Sequence, residues 1–303
     1  MSFNVFLLVL LSVGMHATWN FLSKKTMPSA AFFCISSFAA GLCWIWAIPA
    51  VGFPETALSA HAIMLWTLSL CFETCYFIGL FKAYAATDMS LAYPVARALP
   101  VLLVAAITPL IHPGKYPGLW GIVGLLIVFA GCLLMPLKNF KDFSWRNYLS
   151  PAMFYILLAA AGTTGYTLVD SELMKIMNAA DGHNAMTSAY VFSFVINTAL
   201  GFSMALLVLI RPKEYPLIRE FFASWKNFLS PVCAGILSSL AYLLVLIAMT
   251  KVKHLSFLQA FRQMSLPFGL LLGIIILKEP AHRPKLLGIS AIVTGLVIIA
   301  LLG

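Results

Sequence analysis

The chain has 303 residues, of which 62% are hydrophobic and only 10% charged, with a net charge of +9 and a mean hydropathy of +0.97. Soluble domains carry about 25% charged residues, so this balance excludes a soluble globular protein and leaves lipid as the solvent. The basic residues fall in short clusters between apolar runs, which excludes a nucleic-acid footprint and fits the positive-inside bias of membrane proteins.

A hydrocarbon core of about 30 Å needs about 20 apolar residues per helix. On that length the sequence divides into ten predicted spans, at 3–22, 30–52, 62–84, 89–111, 116–137, 150–170, 184–210, 229–250, 254–277 and 284–302. Backbone in lipid must satisfy its own hydrogen bonds, so the expected class is an all-α polytopic membrane protein with ten transmembrane helices. The first span, "MSFNVFLLVLLSVGMHATWN", lacks a basic leader and an A-x-A-like site. It is expected to span rather than to be cleaved as a signal peptide.

Several spans carry polar residues at helical spacing. Span 1 places Ser12, His16, Trp19, Asn20 and Ser23 at steps of three or four, a polar stripe along an apolar helix. A membrane histidine is commonly a hydrogen-bonded structural group, yet it titrates near physiological pH, which keeps a coupling role open for His16. Span 3 aligns Ser69, Glu73 and Tyr76; span 4 holds Arg97 between two prolines in "LAYPVARALP". Span 6 aligns Thr163, Thr167 and Asp170 or Ser171, span 7 aligns Tyr190, Ser193 and Asn197, and span 9 gives Gln259, Arg262 and Gln263. One such stripe is ordinary helix–helix glue, but five point to a shared polar cavity.

A charge at a helix centre costs on the order of 3 kcal/mol on insertion scales. Glu73, Arg97 and Arg262 therefore form either a packing ion pair or the wall of a charged cavity, and the two readings overlap where a substrate breaks the pair. A guanidinium fork fits a carboxylate, and Glu73 fits an ammonium or a coupling proton. Trp19, Tyr76, Tyr166 and Tyr242 are the aromatic candidates for the same wall. The candidate substrate-binding set is thus Glu73, Arg97, Arg262, His16, Trp19, Asn20, Tyr76, Tyr166, Gln259, Gln263 and Tyr242.

Six cysteines, at 34, 43, 71, 75, 132 and 233, lie in apolar runs without a C-x-x-C pair and read as packing residues. No paired-histidine metal motif, phosphate-cradling loop or nucleophile elbow occurs, so no catalytic residue, metal, cofactor or enzymatic activity is expected.

The two ends of the chain repeat one pattern. Arg97 is followed 27 and 34 residues later by Gly124 and Gly131; Arg262 is followed 26 and 33 residues later by Gly288 and Gly295. Pro100 and Pro267 follow the arginines, and a Pro/Gly-rich joint precedes each glycine helix. This predicts two five-helix units, 1–148 and 149–303, inserted with opposite orientation, as in secondary transporters that bind substrate at the repeat interface. Lys and Arg number thirteen in the odd-numbered loops and four in the even-numbered ones, with Arg97 and Arg262 inside the membrane. The count predicts odd loops in the cytoplasm and both termini outside.

"HATWN" in span 1, "LAYPVARALPVL" in span 4, and "KEP" followed by "LLGISAIVTGLVII" in span 10 resemble the drug/metabolite transporter superfamily, in particular its EamA-type ten-helix members. The likeness runs over essentially the whole chain. It implies an inverted five-plus-five bundle with spans 1, 3, 4, 6, 8 and 9 around a central cavity and spans 5 and 10 at the periphery. It implies alternating-access transport of a small metabolite, often amino acid export, in a bacterial inner membrane. Bacterial relatives are drawn with both termini in the cytoplasm, against the charge count here. The expected partners are a small-molecule substrate, protons as a candidate coupling ion, and the bilayer, with no nucleic acid, for a monomer or homodimer. Within transport the alternative is an exporter of lipophilic or quaternary-amine cations; from another class, a polytopic enzyme acting on a lipid.

Overall fold

The computed structural model describes residues 3–26, 29–86, 89–112, 116–134, 137–142, 151–268 and 282–302. Among the described residues there is no strand; the chain is helical, as its apolar runs require. The helices are α1 (Phe3–Lys25), α2 (Ala30–Leu42), α3 (Ala47–Val51), α4 (Ala60–Ala86), α5 (Met89–Ile111) and α6 (Leu119–Leu134). They continue as α7 (Pro151–Asn178), α8 (Ala185–Leu209), α9 (Tyr215–Ala223), α10 (Trp225–Met249), α11 (Leu255–Phe261) and α12 (Arg283–Leu302).

Among the described residues six stretches are long and apolar enough to cross a membrane: Val5–Ser23, Ala30–Val51, Ala60–Ala83, Ala185–Leu209, Trp225–Met249 and Arg283–Leu302. α6 and the Ala98–Ile111 part of α5 are apolar but shorter. α7 is long, at 28 residues, but carries Asp170, Glu172 and Lys175. The expected span 30–52 is divided, because α2 ends at Leu42 and residues 43–46 turn before α3. The expected span 254–277 starts as α11 and tightens into a 3₁₀ turn at Arg262–Met264; its part from 269 onward lies outside the described residues.

Helices from the two halves of the chain interleave. α4 packs against α7, α1 against α10, α2 against α8, and α6 against α12; α5 leans on α7, and α1 on the Arg262–Met264 turn. The α6–α12 seam is made by glycines. A Cβ on Gly124 would lie 2.8 Å from the Gly295 carbonyl oxygen, one on Gly295 would lie 2.7 Å from that of Gly124, and one on Gly131 would lie 2.7 Å from that of Gly288. The pairs 124–295 and 131–288 run in opposite directions, so the two helices cross antiparallel with their backbones in contact.

The α4–α7 crossing is as close. A Cβ on Gly79 would meet the Tyr155 carbonyl oxygen at 2.7 Å, and one on Gly162 would meet the Phe72 carbonyl oxygen at 2.6 Å. The chain between α8 and α10 is tied back onto the bundle. Buried Glu214 accepts a hydrogen bond from the Ala31 backbone N–H at 3.0 Å, next to the Ser29 cap that accepts from Phe32 N–H at 3.1 Å. Two of the four orphan donors at the start of α2 are thereby satisfied. All six cysteines are free thiols.

Candidate functional site

The close α4–α7 crossing brings Glu73 and Tyr76 on one helix opposite Tyr166 and Asp170 on the other. α1 and α10 close the space from the second side: Ser12 Oγ donates to the Ala241 carbonyl oxygen at 2.8 Å, and His16 and Trp19, one and two turns further along α1, share the cavity with Tyr242. α8 supplies Ile196 and Asn197, and the 3₁₀ turn after α11 supplies Arg262. Together they line a cavity of about 40 Å³.

Seven of the eleven sequence candidates line this one cavity: His16, Trp19, Glu73, Tyr76, Tyr166, Tyr242 and Arg262. Three others stand just behind it. Asn20 donates to the His16 carbonyl oxygen at 2.7 Å, Gln259 accepts from Arg262 Nη1 at 2.9 Å, and Gln263 donates to the Gln259 carbonyl oxygen at 2.8 Å. Arg97 belongs to α5, and its side chain lies outside the described residues.

The charges are deeply buried. Glu73 is 7% exposed, Arg262 6% and Asp170 0%. Glu73 makes no ion pair within 4 Å among the described residues, and none joins it to Arg262. Asp170 is well satisfied: Ser69 Oγ donates to Oδ1 at 2.5 Å, and the Tyr242 hydroxyl donates to Oδ2. Tyr242 is the hinge of the arrangement, because the Arg262 guanidinium also lies over its ring, 5.8 Å from the centroid. Cation–π contact of this kind suits a cation with little water around it. Tyr76, Tyr166 and Tyr242 form a ladder of edge-to-face rings, with centroids 5.8 Å and 5.6 Å apart. His16 Nδ1 accepts from Trp19 Nε1–H at 3.0 Å, which fixes the histidine's tautomer with its proton on Nε2.

Sequence reasoning undervalued Asp170. It sits at the edge of the predicted span 150–170, but α7 continues to Asn178, so Asp170 is two turns inside the helix. The Thr163–Thr167–Asp170 stripe was the available signal. Asn197, in the Tyr190–Ser193–Asn197 stripe, also reaches the cavity, and its amide lies 3.4 Å from Ser239 Oγ. Ser238 and Ser239 gave no periodic signal.

These features define an all-helical polytopic membrane protein with a charged, aromatic-walled cavity between its helices. No protein-family model matches the sequence, and no curated protein does. A solved structure described only as "Crystal structure of protein" superposes with a TM-score of 0.76, over 100% of this chain and 98% of that one, at 17% identity. At that identity the likeness speaks to the fold alone.

Proposed function

We propose that this protein is a secondary transporter of the EamA-type drug/metabolite class, moving a small polar or zwitterionic metabolite, an amino acid or close relative, outward by alternating access. The observation that carries the reading is the central cavity, where Glu73 and Arg262 are opposite charges on a shared aromatic wall between the two halves of the chain. A zwitterion presents the complementary pair, its ammonium to Glu73 and its carboxylate to the Arg262 fork. At about 40 Å³ the cavity holds only a few water molecules, so a metabolite enters only when the helices part.

Two observations support ten spans built as inverted five-helix repeats. The contacts fall into pairs exchanged by adding five to the span number: span 3 with 6 and span 8 with 1, span 4 with 6 and span 9 with 1. Spans 2 and 7, and spans 5 and 10, pair with each other. In the glycine seam, the first glycine of one repeat meets the second of the other, which a two-fold axis in the membrane plane requires. By the lysine and arginine count, the 211–228 loop faces the cytoplasm and both termini face outward.

A second reading has its own support. Two buried acids, Glu73 and Asp170, stand beside one described buried cation, with tyrosines between them, which favours export of an organic cation. Uptake into proteoliposomes separates the two. Labelled amino acids are expected to be transported and quaternary amines not, and Glu73→Gln and Arg262→Gln each lower the flux about a hundredfold in folded protein. Unchanged flux in both variants overturns the site. A single cysteine placed at Lys213 is expected to resist membrane-impermeant thiol reagents in intact cells; labelling from outside overturns the orientation.

A further inference from the structure

A second cavity, of about 300 Å³, lies at the end of the bundle where α4 starts and α5, α7 and α10 finish. Its volume is at the lower edge of the range for small-molecule sites. The charged and titratable groups on its wall are His61, His112, Glu172, Lys175 and Lys253. Most of the remainder is aliphatic, with Leu65 and Met249 among the contributors. None of these residues lines the central cavity.

The charge pattern is lopsided. Among the described residues of the wall Glu172 is the single carboxylate, and it is already engaged by Lys175 and by His112 Nε2 at 2.8 Å. Among the described residues no ion pair within 4 Å reaches Lys253. Among the described residues the cavity thus offers Lys253 with no carboxylate within 4 Å, the His61 imidazole on the same wall and an apolar floor. A cation would find the counter-charge of Glu172 occupied. An anion with an apolar body would satisfy both halves of the wall.

We propose that this cavity binds an amphipathic organic monoanion, with a carboxylate or phosphate held by Lys253 and His61 and an apolar body against the aliphatic wall. A free organic acid and the headgroup of an acidic lipid share this chemistry. The proposal is independent of transport, since it concerns different residues and is read by binding alone.

The test is calorimetric titration of the full chain in neutral detergent with phenylacetate, and with phenethylamine as the cationic counterpart. Phenylacetate is expected to bind saturably and phenethylamine not. Lys253→Gln weakens phenylacetate about tenfold, the effect of one lost charge-assisted hydrogen bond. Glu172→Gln tightens it, because Lys175 and His112 become available to the ligand, a gain that misfolding cannot imitate. Lys213→Gln, in the turn beyond the far end of α8, leaves it unchanged. Repeating the titration in nanodiscs identifies the source: loss of binding in phosphatidylglycerol but not in phosphatidylcholine assigns the cavity to a lipid headgroup, and persistence in both assigns it to a soluble acid. Absence of saturable phenylacetate binding, or wild-type affinity in both Lys253→Gln and Glu172→Gln, overturns the proposal.

Discussion

The α6–α12 seam and the α4–α7 crossing use the same device for different ends. Both bring backbones into contact through glycines, Gly124, Gly131 and Gly295 at the first and Gly79 and Gly162 at the second. The first seam is apolar, with Leu125, Val128, Ile292 and Leu296 buried around the glycines. The second places Glu73 and Asp170 in the interior, where a membrane protein bears a cost for every charge. The contrast separates what holds the bundle from what the bundle holds. The first seam joins its helices without a charged side chain, whereas at the second Asp170 ties α7 to Ser69 of α4 and Tyr242 of α10, and Glu73 lines the cavity.

That separation can be broken by substitution. The largest expected effect is on transport: Glu73→Gln and Arg262→Gln each lower substrate flux in proteoliposomes by about a hundredfold, the upper range for a lost hydrogen bond to a charged group. Thermal stability in detergent stays near that of the wild type. The converse change is Gly295→Val. Its side chain meets the Gly124 carbonyl oxygen and forces the seam apart, costing about 1–3 kcal/mol of stability by thermal unfolding, with the substrate affinity of the folded fraction retained. If Gly295→Val changes affinity and leaves stability alone, the division between periphery and centre fails.

Tyr242→Phe is intermediate, because it removes a donor to Asp170 and retains the ring beneath Arg262. Flux is expected to fall about tenfold. An unchanged flux would show that Asp170 does not act through Tyr242.

The smallest effect belongs to Glu172, beyond the sixth predicted span. Burial works to raise its pKa, but the Lys175 hydrogen bond and charge, with His112, outweigh it and hold the carboxyl below the ordinary range. A depressed carboxyl stabilises the fold above its unfolded-state pKa and loses that contribution as pH falls through the folded-state value. The stability difference between wild type and Glu172→Gln is therefore expected to be constant near neutral pH and to vanish in acid. With the side chain 31% exposed, it stays below about 1 kcal/mol.

Much of this arrangement was legible in the sequence. Helical spacing alone grouped Ser12 with His16 and Trp19, and Glu73 with Tyr76, because a polar stripe in lipid must face another helix or a cavity. Span limits were less legible. Apolar length placed the end of span 6 at 170, whereas α7 runs on through Glu172 and Lys175 to Asn178, since helices do not stop where lipid does. The pairing of stripes was hidden as well. Nothing in the spacing says that Tyr242 reaches Asp170, because that contact depends on how helices distant in sequence cross, whereas Gln259 and Arg262, three residues apart, were grouped by spacing alone.

The central claim is that Glu73 and Arg262 hold opposite ends of one small molecule. The direct measurement is a thermal-shift comparison of purified wild type, Glu73→Gln and Arg262→Gln, each with an amino acid and with its decarboxylated and deaminated analogues. A ligand that binds only the folded state raises its apparent stability. The account predicts a stabilisation of the wild type by the zwitterion that exceeds that of either analogue and disappears in both variants. An equal shift in the wild type and both variants would contradict it.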